Sequence, residues 1–185
     1  PHDSILLSGG AGLVAGTMSM AAGEYVSVSS QSDTEKADLA MERRALEQNS
    51  ELETEELAFI YEGRGLEPAL ARQVAEGLMA HDALAAHARD EIGISESVRA
   101  QPLQAALSSG ATFIVGAAMP LITAWCVSGT YTIISVAVAS LFFLAVLGGV
   151  AARAGGAAIL TGAARVTFWG TLAMALTAGV GRLFV

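Results

Sequence analysis

The chain has 185 residues, 53% of them hydrophobic and 15% charged, with a formal net charge of −8. Its mean hydropathy of +0.52 and its apolar share exceed those of soluble domains, where roughly 45–50% of residues are apolar, so a wholly soluble globule is excluded. The acidic balance excludes binding to a nucleic-acid backbone, which needs a basic stripe, and the single Cys126 excludes an intrachain disulfide or a thiolate metal cluster.

Charge is confined to one window: 16 of the 18 acidic and 7 of the 10 basic residues lie between Asp33 and Arg99. The chain opens at Pro1 with no basic leader or cleavage pattern and reads as a fragment or processed chain. Residues 1–31 are predicted to form a first transmembrane helix, because Ile5 to Ser30 is apolar except for Glu24 and exceeds the roughly 20 residues that a hydrocarbon core requires. Residues 32–99 are predicted to form an acidic three-helix domain, with helices at Asp33–Gln48, Glu51–Glu62 and Glu67–Ile92. Asn49-Ser50 and Gly63-Arg64-Gly65 separate them, and Pro68 suits the first position of the third helix. Leu39, Leu46, Leu57, Phe59, Ile60, Leu70, Val74, Leu78 and Leu84 are expected to supply its core. Residues 100–185 are predicted to hold three further transmembrane helices at about 103–127, 131–152 and 163–182, with Pro120 inside the first and Arg165 near the start of the last.

Basic residues set the orientation. The acidic window and the Arg153 connection carry Lys and Arg, whereas Ser128-Gly129-Thr130 carries none, so the positive-inside rule puts the window in the cytoplasm. The expected fold is an all-α membrane protein with four transmembrane helices and a three-helix cytoplasmic domain inserted between the first two.

Glu24 is the residue with the sharpest chemical meaning. An intramembrane carboxylate costs about 2.5–3.5 kcal/mol on insertion scales and usually marks a pathway or a partner. The alternative is a hydrated carboxylate at the cytoplasmic end of the span. Gly12, Gly16, Met20 and Glu24 recur every four residues and form one helical ridge, with the glycines expected to admit a neighbouring helix. Met20 and Glu24 add a soft and a hard ligand, a mixture suited to Fe²⁺ or Mn²⁺ in passage more than to a permanent Zn²⁺ cage.

In the acidic window, Glu35, Asp38 and Glu42 share one helical face, Glu53 and Glu56 repeat the spacing, and His87 and Glu91 stand four apart. Together they offer oxygen and nitrogen ligands for several divalent cations. The alternative for each is a solvated acidic face. His81 and Asp82 are weaker candidates. Carboxylate, imidazole and thioether suit Fe²⁺, Mn²⁺, Co²⁺ and Zn²⁺ alike. The chain has no GxxxxGK[ST], GxSxG, HExxH or ExxH pattern, which argues against a conventional enzyme and against a ferritin-like di-iron bundle.

The run from Gly12 to Gln31, with Met18-Ser-Met-Ala-Ala-Gly-Glu-Tyr25 at its centre, resembles the second transmembrane helix of the vacuolar iron transporter family. Ser32 to Asp38 continues the likeness. Met79-Ala-His-Asp-Ala-Leu84 and His87-Ala-Arg-Asp-Glu-Ile-Gly93 resemble the end of that family's cytoplasmic metal-binding domain, and Gly181-Arg-Leu-Phe184 is similar to bacterial members. The resemblance implies a homodimer in a membrane, the bacterial inner membrane in this case, that moves Fe²⁺ and often Mn²⁺ out of the cytoplasm in exchange for protons. It needs no prosthetic group. It places Glu24 and Met20 in the path and Glu42, Glu53, Glu56 and Glu91 at ligand positions of the domain. His87 stands where plant members have the first of two methionines and is expected to supply nitrogen instead of sulfur; Ala45 stands where relatives often have a glutamate. The family has five spans, the first with an acidic residue in the path, so the resemblance implies that this chain begins in the loop before the second.

Overall fold

The structure is a computed structural model that describes residues 2–94 and 99–183. Positions 95–98 of the expected acidic domain, Pro1, and Phe184 of the closing motif lie outside them. The described residues form helices and no strand: α1 (His2–Gln48), α2 (Ser50–Gly63), α3 (Pro68–His87), a π-helical turn (Ala88–Ile92), α4 (Pro102–Cys126), α5 (Thr132–Ala154) and α6 (Ile159–Leu183). Four of these, α1, α4, α5 and α6, are long and apolar enough to cross a membrane, so the chain is an integral membrane protein. Contacts divide it into two units, Pro1–Ala21 with Leu107–Val185, and Ala22–Ala106.

In the first unit, α5 and α6 pack through small residues. A Cβ on Gly148 would lie 2.7 Å from the carbonyl oxygen of Gly162 and 2.9 Å from Val166 Cβ, so only glycine lets the two backbones approach this closely. The glycine ridge of α1 is half used. A side chain at Gly16 would strike the ring of Phe113 on α4, as a close helix neighbour requires, whereas Gly12 has nothing within 4 Å among the described residues. The last span also begins earlier than 163, at Ile159, directly after a turn whose Gly156 has φ +73°.

Two helices expected as separate, the first span and Asp33–Gln48, are one continuous α1. Ser29 to Ser32 contains neither Gly nor Pro, and its polar side chains bond along the helix. Thr34 Oγ1 donates to Ser30 O at 3.1 Å and Gln31 Nε2 to Glu35 Oε1 at 3.0 Å. Asn49 then ends α1 and caps α2, its side chain accepting from Leu52 N at 3.3 Å.

The second unit has a core of different make-up from the one expected. Leu57, Ala58, Ala75 and Ala86 form it, with Tyr61, Leu78 and Met79 packed alongside. Phe59 and Leu70 are instead 74% and 50% exposed. Alanines let α2 and α3 lie close together, so little room remains for larger side chains between them. The predicted Glu67–Ile92 helix is also interrupted. Asp82 has extended backbone (φ −157°, ψ 91°) and its Oδ1 accepts from Ala85 N at 3.0 Å, capping a fresh segment that carries His87. After His87 the helix widens into the π turn, and Gly93, at φ +80°, ends it in the left-handed region that favours glycine.

Candidate metal centre

The second unit brings four ligand-bearing side chains together from three elements. Glu42 lies on α1, Glu53 on α2, His87 at the end of α3 and Glu91 in the π turn, and one ligand atom from each falls within 4.8 Å of every other. Opposed oxygen ligands of one divalent ion at about 2.3 Å stand about 4.6 Å apart, so the spacing suits a single ion. Glu42 and Glu53 are buried and His87 is fully enclosed, while the Glu91 side chain is 32% exposed. Solvent therefore reaches the group from the Glu91 side.

His87 Nδ1 stands 2.8 Å from Glu91 Oε2 and 3.1 Å from Glu42 Oε1. The second approach lacks hydrogen-bond geometry, and both Glu42 Oε1 and His87 Nε2 are buried with no hydrogen-bond partner among the described residues. Each such orphan costs about 1–3 kcal/mol. Burial, then the neighbouring Glu91, Glu53 and Glu56 carboxylates, push the Glu42 carboxyl up against the opposing pull of His87. Burial and Glu56 do the same to Glu53. Three carboxylates and one imidazole, desolvated and short of partners, form a donor set that a divalent cation would satisfy.

The structure distributes the other candidates differently. Glu56 is near enough to act on Glu42 and Glu53 electrostatically but is not one of the four. Glu35 Oε2 accepts from the backbone N–H of Ala100 at 3.2 Å, ahead of α4, and neither it nor Asp38 joins the group. Asp82 is a helix cap. Met20 and Glu24 are exposed on α1 and belong to no such ligand group among the described residues.

One set of residues beside the centre had no place in the sequence reading. Asp90, in the π turn next to Glu91, accepts from Tyr61 Oη at 2.9 Å, Arg64 Nη1 at 2.6 Å and Arg89 Nη2 at 2.6 Å. Burial opposes its ionisation, but the hydrogen bonds from Arg89, Arg64 and Tyr61 outweigh it and bring the carboxyl down to about 2. Arg64 also lies 5.0 Å from the centroid of the Tyr61 ring. The pairing links the end of α2 to a residue 26 positions on; in sequence, only the three-residue step from Tyr61 to Arg64 hinted at a shared face.

A sequence model of the VIT family matches residues 1–182. A vacuolar iron transporter of Acanthamoeba castellanii is 49% identical over 183 residues, covering 98% of this chain and 70% of that protein. Vacuolar iron transporter homolog 2 of Arabidopsis thaliana is 36% identical over 185 residues, covering 98% and 70%. Vacuolar iron transporter homolog 5 of Oryza sativa subsp. japonica is 33% identical over 182 residues, covering 98% and 65%.

Proposed function

The chain belongs to the VIT family, and from that membership we propose that it carries divalent metal, Fe²⁺ or Mn²⁺, out of the cytoplasm in exchange for protons. The observation that carries this reading is the convergence of Glu42, Glu53, His87 and Glu91 on one point. The relatives' names supply the ion class, and the donor set is compatible with it; Co²⁺ and Zn²⁺ fit the same ligands. The acidic unit lies on the cytoplasmic side, gathers the ion and keeps it near the membrane. Glu24 and Met20 form part of the path, and two copies of the chain pair around it. The reaction is transfer without bond-making, so no catalytic residue is assigned.

Proton exchange has a physical basis at the ligands. His87 Nδ1 and Glu91 Oε2 share a hydrogen bond of 2.8 Å, and a metal ion taking both atoms must displace the proton that lies between them. Glu42 and Glu53, whose carboxyls burial pushes up, release any proton they hold on binding. A carboxylate at Glu24 can likewise hold a metal ion or a proton, but not both well.

The test is metal flux in proteoliposomes, with Fe²⁺ outside and a pH-sensitive dye within. Fe²⁺ entry with proton movement, lost in Glu24→Ala while metal binding persists, supports exchange through that residue. No flux, together with Fe²⁺ binding that Glu42→Gln and Glu53→Gln abolish, reduces the protein to a membrane-anchored metal store.

A further inference from the structure

Rare π turns concentrate at functional sites, and this one has an anchor of its own. His87 immediately precedes the turn and Glu91 lies within it, so both ligands depend on its backbone. Among the described residues, neither is hydrogen-bonded to α2 directly. Asp90 is: its carboxylate, 7% exposed, takes the Tyr61 hydroxyl and both arginines. Arg64 Nη2 reaches past that side chain to the backbone carbonyl of Asp90 at 3.1 Å. The turn is thus bonded through side chain and main chain to the C-terminal end of α2, the helix that carries Glu53. Tyr61 in turn packs on the Leu57 and Ala58 core, so the anchor is rigid at its far end.

We propose that Asp90 is a positioning residue for the metal centre, holding His87 and Glu91 in register with Glu53 through its bonds to Tyr61 and Arg64. The inference rests on the metal-centre reading above. Asp90 itself touches no ion. Its action is geometric: with the anchor intact, the four ligand atoms stay within one ion's reach before the ion arrives. Without it, the π turn relaxes toward an ordinary helical turn and His87 and Glu91 shift relative to α1 and α2. Partners one step out from a metal ligand typically contribute 10- to 100-fold in affinity.

The experiment titrates the purified full chain in detergent with Co²⁺, whose visible bands report ligand number and geometry. The wild type, Asp90→Asn, Tyr61→Phe and Glu53→Gln are compared, with metal-free thermal unfolding recorded for each. The expected result is Co²⁺ affinity about 10-fold weaker in Asp90→Asn, a smaller loss in Tyr61→Phe, and changed band intensities in both, with metal-free unfolding unaltered in Tyr61→Phe. Tyr61→Phe removes one hydroxyl and keeps the arginine pairs, so it decides the matter if Asp90→Asn fails to fold. Wild-type affinity and bands in Tyr61→Phe and in any folded Asp90→Asn overturn the proposal. So does a loss that merely tracks unfolding while the bands keep their wild-type shape. If the wild type takes up no Co²⁺, or Glu53→Gln binds it unchanged, the metal-centre reading has failed and the positioning role falls with it.

Discussion

His87 and Glu91 meet at a single atom pair, Nδ1 to Oε2 at 2.8 Å, while the other imidazole nitrogen is buried without a partner. A fully enclosed histidine is costly unless its polar atoms are satisfied. Here the imidazole has one bonded nitrogen and one orphan, with two further buried carboxylates around the same point. A divalent cation bound there would satisfy all of these donors at once.

Removing a ligand should therefore trade function for stability. Glu53→Gln relieves repulsion among the carboxylates, so the metal-free protein should unfold at a higher temperature than wild type. The same variant should lose the stabilisation that Mn²⁺ confers, about 2.7 kcal/mol at 100 times the dissociation constant. Thermal unfolding with and without Mn²⁺ checks both halves.

Acidity should act on the two states in opposite directions. The Glu42 and Glu53 carboxyls are raised above their ordinary 4.5, so their contribution to metal-free stability is fully present below 4.5 and is lost as pH rises through the raised values. Metal affinity should instead increase over that same interval, because fewer protons compete for the ligands. Asp90, held at about 2, has the reverse effect on stability, confined to acid below its ordinary 3.8. Mn²⁺ titrations and thermal unfolding across pH 4 to 7 should give slopes of opposite sign; parallel slopes would contradict the arrangement.

Glu35→Gln should leave Mn²⁺ affinity within about twofold of wild type, since this carboxylate serves the Ala100 N–H rather than the ion. Losing a charged acceptor costs about 1.5–3 kcal/mol at most, and its signature should be faster amide exchange at Ala100. A large drop in metal affinity would return Glu35 to the ligand set.

In the membrane unit, Gly148→Val should force α5 and α6 apart, because the new Cβ meets the Gly162 carbonyl and Val166 instead of a flexible side chain. Overpacking of this kind costs about 1–3 kcal/mol. Thermal stability in detergent should fall, while Co²⁺ binding at the candidate centre of the other unit keeps its wild-type bands.

Helix limits were legible wherever a residue with one conformational role stood in the chain. Breaks fall at Asn49 and at Arg64-Gly65 and Pro68 begins a helix, close to expectation, although Ser50 and Gly63 belong to α2 itself. What sequence could not settle was which face of a helix meets a neighbour. Glu35, Asp38 and Glu42 share a face in projection, yet only Glu42 reaches the other ligands, because position along the axis decides as much as azimuth. Large apolar residues drew attention away from Ala58, Ala75 and Ala86, whose value is the close approach they permit. The Asp82 break and the π turn leave no periodic trace, since each is set by a side-chain bond or by tertiary packing.

The unbroken α1 has a mechanical consequence. Glu24 and Glu42 are eighteen residues apart on it, which at 3.6 residues per turn is about five whole turns and about 27 Å. The two carboxylates thus point to the same side of one stiff rod. A rotation of that rod about its long axis, whatever drives it, turns both through the same angle, so the candidate metal centre and Glu24, proposed above as part of the path, are coupled as the two ends of a shaft.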